Sequence, residues 1–222
     1  MKHLRFEALF RNMSDSPILP YTALFNYPWE LLPHLKSIIT KLGAELPEGE
    51  YYSPSEGVYI SVDATVHPSA TILAPTVIMS GTELRTGAFI RGGVLVGKDC
   101  VIGNSCEIKN SVILDCAQIP HFNYVGDSII GYRAHLGAGA VTSNVKSDKT
   151  PVTVLNFGNK TPTGLRKMGA LIGDYAEIGC GCVLNPGTVI GRRTTVYPLS
   201  CVRGYVEENS IYKSQKTIVR KQ

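Results

Sequence analysis

The chain has 222 residues, 44% hydrophobic and 18% charged, with a formal net charge of +4 at pH 7. That is enough apolar material for one domain of ordinary size with an appendage. The mild charge, unclustered before the stretch Lys213 to Lys221, argues against the strongly basic face that nucleic acids demand.

No apolar run approaches the roughly 20 residues of a membrane helix. The N-terminal MKHLRFEALFRNMSDS carries acidic residues and no unbroken apolar core, so it does not read as a secretory signal. Six cysteines, Cys100, Cys106, Cys116, Cys180, Cys182 and Cys201, form no C-x-x-C pair. They read as small buried thiols in a reducing compartment, which predicts a cytoplasmic protein without membrane or nucleic-acid partners.

Residues 1–50 carry two helix-like apolar stripes. Phe6, Leu9 and Phe10 make one. Trp29, Leu32, Leu35, Ile38, Ile39 and Leu42 make the other, entered through Pro28 and closed by Gly43. They predict a small helical cap or contact element, joined onward by LPEGEYYSPSEG.

From residue 51 to 206 the pattern changes to a period of six. Aliphatic residues stand at Ile60, Val66, Ile72, Ile78, Leu84, Ile90, Val96, Ile102, Ile108 and Leu114. A small or β-branched residue follows four places after each, as at Ala64, Ala88, Cys100 and Cys106. Ile130 and Leu136 keep the style, and Ile172, Ile178, Leu184, Ile190, Val196 and Val202 resume it. Six fits neither the 3.6 of a helix nor one alternating strand. It fits short strands separated by turns, coil stacked on coil about 4.8 Å apart, each burying its neighbour's face.

Two segments break the period. The phase slips between Asp115 and Ser128, and an excursion rich in Lys, Asn, Thr and Gly occupies 143–168 before the register returns. Irregularity within a regular solenoid tends to mark a binding face. Residues 207–222 read as a C-terminal tail.

The repeat, as in Ile102-Gly103-Asn104-Ser105-Cys106, resembles that of the hexapeptide-transferase family. The resemblance implies three hexapeptides per triangular coil and a left-handed winding, against the right-handed rule for ordinary parallel crossovers. It also implies trimers with sites at subunit interfaces. The fold expected is therefore all-β, a left-handed parallel β-helix with a small N-terminal helical segment.

The blocks GAFIRGG, EIKNS, HFNYVGDSIIG, HLGAGAVTSN and GALIGDYAEIG sharpen the resemblance. They are similar to the C-terminal domain of bifunctional N-acetylglucosamine-1-phosphate uridyltransferases. They are also similar to archaeal sugar-1-phosphate nucleotidylyltransferases with amino-sugar acetyltransferase activity. The similarity covers most of residues 60–213. No glycine-rich nucleotidyltransferase loop stands near the N-terminus, so the resemblance implies acetyl transfer alone. The reaction expected moves acetyl from acetyl-CoA, as co-substrate, to an amino-sugar 1-phosphate in nucleotide-sugar biosynthesis. Alternatives are a non-catalytic trimeric partner of a separate nucleotidyltransferase, or an acyltransferase on a nucleotide-linked amino sugar.

A sugar ammonium must lose a proton before its nitrogen attacks a thioester, which calls for a base titrating near neutrality. His121, at the head of HFNYVGD, matches the family's base, and Glu107 the carboxylate that orients it. Arg91 and Lys109 match the positions that hold phosphate and sugar. They are eighteen residues apart, one full coil of three hexapeptides, so both should rise from one edge. Tyr124 matches a sugar contact, Asn144 a residue near the acetyl group, and Lys149 a cation closing over the substrate. Amides near Gly137, Ala138 and Gly139 can approach the thioester oxygen. Ala138, Cys180, Pro198 and Lys213 match coenzyme A contacts along a groove between subunits. His135 stands where the family has an Asn that touches the sugar, which the resemblance makes a substrate contact, and Cys180 stands where it has a Ser near the cofactor. His67, His121 and His135 lack the short spacing of a histidine zinc site, so no metal is expected.

Overall fold

A computed structural model describes residues 1–214 and 217–221. Among them, the repeat region winds as a left-handed parallel β-helix of about nine turns. Its short strands stack into three parallel-paired faces. The first face runs from Val58–Ser61 to Tyr205–Val206, edged by the antiparallel strand Tyr51–Ser55. The second runs from Thr71–Ile72 to Cys201–Val202, and the third from Thr65–Val66 to Ser210–Ser214. Thr217–Arg220 folds back antiparallel on Ser210–Ser214, so the segment expected to be a tail contributes strands to the third face.

The period-six aliphatics fill the triangular core. Leu84, Ile90, Val96, Ile102 and Ile108 are all buried, with Ala88, Cys100 and Cys106 in the tighter corners. Leu114 departs from the expected series. Ile113 takes the inward place, and Leu114 packs in a separate apolar cluster outside the coil. The physical reason is a shortened coil. Glu107 pairs with Phe89, eighteen residues back, but with Tyr124, seventeen residues on. Val112 likewise pairs with Ile129. One residue is missing from the corner after Lys109 and one from the corner after Gly126. What reads in sequence as a slip over 115–128 is thus unbroken β-helix with two tight corners. Asn110 (φ 46°) and Asp127 (φ 49°) turn them in the left-handed region, which Asn and Asp tolerate best among non-glycine residues.

The N-terminal segment lies along the first face rather than over an end. Its second stripe splits into a 3-10 helix, Pro28–His34, and an α-helix, Leu35–Ala44. Pro33 offers no N–H to an α-helix and marks the change. Gly43 does not close this helix but lies inside it, where a Cβ would strike the Tyr59 ring. Trp29, Leu32, Leu35 and Ile39 pack with Val77, Leu95, Val112 and Val189, the outward residues of the first face.

The excursion folds as a hairpin, Thr153–Asn156 with Asn159–Pro162. It sends Val152 and Val154 into the same cluster. Asp174, fully buried, clamps the segment to the coil by accepting from the backbone N–H groups of Arg11 (2.7 Å), Asn12 (3.0 Å) and Tyr132 (3.0 Å). No helix is long and apolar enough to cross a membrane, among the described residues.

Candidate active site

Pleating turns alternate residues of the second face outward. Glu107 and Lys109 therefore stand outside while Ile108 is buried. Arg91, one coil below, donates from Nη1 to Glu107 Oε1 at 2.6 Å. Lys109 Nζ donates to Asp127 Oδ2 at 3.3 Å, and Asn110 Nδ2 to Asp127 Oδ1 at 2.8 Å. Asn144, just past the strand Val141–Thr142, donates to the same Asp127 carboxylate and to Tyr124 Oη at 3.2 Å. Five sequence-expected residues, Arg91, Glu107, Lys109, Tyr124 and Asn144, are thus gathered on one face. Burial, then the charges of Asp127 and Glu107, push the Tyr124 hydroxyl above its ordinary value, so it stays a protonated donor at neutral pH.

Asp127 ties this cluster together and escaped the sequence reading. It is 5% exposed and holds three side chains at once. Its spacing gave no signal, since the coil step here is seventeen residues and sets Gly126, not Asp127, level with Lys109. The tight corner after Gly126 places its carboxylate beside them.

The corner between the third and second faces carries the other candidates. Phe122 N–H donates to Asn104 O (2.9 Å), and Gly139 N–H to His121 O (3.0 Å). Gly181 N–H donates to Ala138 O and Leu199 N–H to Cys180 O, both at 2.8 Å. His121, Ala138, Cys180 and Pro198 therefore occupy equivalent places in successive coils, spanning about 14 Å at three steps of 4.8 Å. Lys213 Nζ lies 6.0 Å from the ring centre of Tyr197, next to Pro198, and so marks the upper end of this line.

Gly139 (φ 70°) and Gly181 (φ 65°) take left-handed turns beside it and leave the corner bare. The equivalent residues one coil below and one above, Phe122 and Leu199, are 64% and 85% exposed. Of the three amides expected to face a thioester, Gly137 N–H is taken by Ile178 O and Gly139 N–H by His121 O. Ala138 N–H has no partner among the described residues.

Three expectations meet a different geometry. Glu107 pairs with Arg91, diagonally across the ladder on the same face, not with His121. The His121 ring is exposed on the third-face strand Gln118–His121 and has no partner among the described residues. His135 also lies on the third face, with Nδ1 2.9 Å from Glu177 Oε2, apart from the second-face cluster. Lys149 is exposed in a left-handed turn of the excursion, its N–H on Lys146 O at 2.9 Å.

Cys100, Cys106 and Cys182 are buried thiols, as expected of all six, but Cys180 and Cys201 are exposed. The reason is position: these two replace outward residues of the corner and the second face, not inward ones. Among the described residues, no three His, Cys, Asp or Glu side chains stand together as a metal site requires.

Residues 55–157 match the family model described as the GMPPB C-terminal domain. The bifunctional protein GlmU of Methanococcus maripaludis (strain C7) is 37% identical over 112 residues, 50% of this chain and 27% of that protein. The bifunctional sugar-1-phosphate nucleotidylyltransferase/acetyltransferase of Sulfurisphaera tokodaii is 36% identical over 103 residues, 46% of this chain and 26% of that protein. The chain spans about a quarter of the length of these curated relatives. A crystal structure of a hexapeptide transferase family protein from Anaplasma phagocytophilum superposes with a TM-score of 0.43 at 15% identity, over 75% of this chain and 81% of that one. Over about half its length, then, this hexapeptide-repeat chain is a sequence relative of the GlmU and sugar-1-phosphate nucleotidylyltransferase/acetyltransferase proteins.

Proposed function

We propose that the chain transfers acetyl from acetyl-CoA to the amine of an amino-sugar 1-phosphate, glucosamine-1-phosphate or galactosamine-1-phosphate. The observation that carries this reading is the corner ladder. In it the His121 imidazole, without a partner among the described residues, stands in line with Ala138, Cys180 and Pro198, at the corner that leads into the second-face strand of Tyr124. Coenzyme A lies along that line, with Lys213 at its upper end. The acceptor lies over the second face against Arg91, Lys109, Tyr124 and Asn144, and Lys149 closes from the excursion.

The sugar ammonium gives one proton to solvent, and His121 takes a second from the nitrogen as it attacks the thioester carbonyl. Ala138 N–H faces the oxygen on which charge develops. The imidazolium then returns the proton to the departing thiolate. Glu107 acts here on Arg91, holding its guanidinium over the face. It raises the Arg91 pKa through that hydrogen bond, so the group stays fully charged.

The working form is a homotrimer. His135 and the second-face cluster lie on different faces of one chain. A neighbouring copy would bring its third face to this second face and complete the site.

The test is thiol release from acetyl-CoA with each amino-sugar 1-phosphate, wild type beside His121→Ala. A fall in kcat/KM of about 10²–10⁴ is expected for loss of a general base. A loss below about tenfold, or 1.4 kcal/mol, removes His121 from that role.

A further inference from the structure

A cavity of about 480 Å³ opens under the excursion, where the second face turns toward the first, within the roughly 300–1,000 Å³ usual for small-molecule sites. Ser143, Asn185 and Arg203 line it from the coil. They stand in successive turns, since Ser143 N–H donates to Leu184 O and Asn185 N–H to Val202 O, both at 2.9 Å. Lys146, Asp148 and Lys160 line it from the excursion. The Asp148 carboxylate is engaged within its own loop, where it accepts from Thr150 N–H at 3.0 Å and stands 3.3 Å from Lys146. The Lys160 side chain has no hydrogen bond or ion pair among the described residues, and that of Arg203 has only a 3.5 Å contact to Asn185 Oδ1. Two exposed cations therefore face one polar cavity without counter-charge.

The ladder fixes the height of this charge. Lys109, Gly126, Ser143, Asn185 and Arg203 follow one another up the second face. Arg203 thus stands four steps, about 19 Å, above Lys109, too far to share a phosphate with it. It lies instead in the same coil as Pro198, at the upper end of the corner line. Five residue steps separate the two, at most about 17 Å of chain. The outward surface between them is apolar, with Val183 at 39% exposure and the exposed Cys201 directly above it.

We infer that this cavity receives the 3′-phosphate of the acetyl donor, held by Lys160 and Arg203. The inference rests on the reading of the corner line as the coenzyme A site, and it leaves the acceptor's phosphate with Arg91 and Lys109. A donor whose thioester lies between His121 and Ala138 climbs to Pro198 along the corner. Its far end is an adenosine bearing a 5′-diphosphate and a 3′-monoester, which calls for cations in two places. Lys213, beside Tyr197 on the third-face side of the corner, serves the diphosphate. The adenosine crosses the strip of Val183 and Cys201 and brings the monoester to the cavity. The charges match, since a phosphomonoester carries about −1.5 to −2 at pH 7 against the two unpaired cations. Arg203 presents a planar fork to phosphate oxygens and Lys160 a mobile point charge.

The experiment is calorimetric titration of the full chain, without acceptor, with coenzyme A and with 3′-dephospho-coenzyme A. Wild type is compared with Lys160→Gln, Lys160→Gln/Arg203→Gln and Lys213→Gln, each checked for an unchanged melting temperature. Wild type should bind coenzyme A about tenfold or more tighter than the dephospho form. The double variant should bind both alike, with the affinity that wild type has for the dephospho form, and the single Lys160 variant should fall between. Lys213→Gln should weaken both ligands and keep their ratio. The wild-type ratio and the single variant retain the test if the double variant fails to fold.

A wild-type ratio near one overturns the subsite and leaves the donor site standing. A ratio that persists in the double variant, or that Lys213→Gln alone abolishes, also overturns it. If wild type binds neither ligand, the reading of the corner as a coenzyme A site falls, and the subsite falls with it.

Discussion

The first and second faces of the β-helix share one inward ladder and differ in what lies outside it. On the first face, Thr76, Val77 and Ile78 are buried in succession, as are Val94, Leu95 and Val96. The outward side chains are covered by the chain's own N-terminal helices and by the hairpin of the excursion. On the second face, Glu107 and Lys109 alternate with a buried Ile108, and their outer surface is a set of ion pairs left uncovered by the chain. A strand buried on both sides has no room for chemistry, whereas one buried on a single side can display it. The chain covers one face with itself and leaves two for ligands and copies. Function should therefore break on the second face and stability on the first.

The largest effect on stability is expected at Trp29, which is 1% exposed and stacked on Tyr27 with ring centres 4.4 Å apart. Trp29→Ala should cost about 3–5 kcal/mol. That lowers the melting temperature by roughly 10 °C in a chain of this size, read by circular dichroism. Activity per folded molecule should stay within about twofold of wild type, since nothing on the second face moves. A melting temperature within about 2 °C of wild type would mean that the helices do not hold the first face.

A smaller and pH-dependent effect belongs to Asp174, the clamp between the N-terminal segment and the coil. Burial raises its carboxyl above the ordinary range, against the opposing pull of the Asn12, Arg11 and Tyr132 N–H groups and of Arg192. An acid with a raised folded pKa binds more protons folded than unfolded, so its contribution to stability falls as pH rises from the unfolded value through the folded one. Asp174→Asn has no such titration. The destabilisation it causes should therefore be greatest at the acid end of that window and shrink toward neutrality. Denaturant melts at a series of pH values read this directly. A penalty that grows with pH would show that the hydrogen bonds, and not burial, set the pKa.

Much of this architecture is legible in the residues, for a physical reason. One aliphatic side chain per hexapeptide is the minimum that fills a triangular core, so the coil announces itself at positions such as Leu84, Ile90 and Val96. The sequence could not show that Ile113 replaces Leu114 inside. Neighbouring aliphatics satisfy either phase, and only the pairing of Glu107 with Tyr124 decides between them. Nor could it show where the helical stripe of residues 29–42 docks, because an apolar helix face fits an end or a side equally well. Of the candidate site, Arg91, Lys109, Tyr124 and Asn144 were readable, but Asp127, the shared partner of Lys109 and Asn144, was not. Asp127 is an ordinary turn residue in sequence, and becomes a hub only because a corner lost one residue.

That hub gives the last and smallest test of the contrast between faces. Asp127→Ala removes the acceptor for Lys109, Asn110 and Asn144 together, while the inward Val125 and Ile130 remain in place. Asn144 then loses its anchor and keeps only the 3.2 Å contact to Tyr124. A misplaced group near the reacting atoms lowers turnover more than binding. We expect kcat to fall about tenfold, equivalent to 1.4 kcal/mol, with KM for the acceptor nearly unchanged. Stability should drop by about 1–3 kcal/mol, since the three donors lose a buried acceptor. If instead KM rises and kcat holds, Asp127 acts on acceptor binding through Lys109 and not on the geometry of Asn144. A loss of stability beyond about 4 kcal/mol with no change per folded molecule would make Asp127 a structural pin, and the second face would then resemble the first.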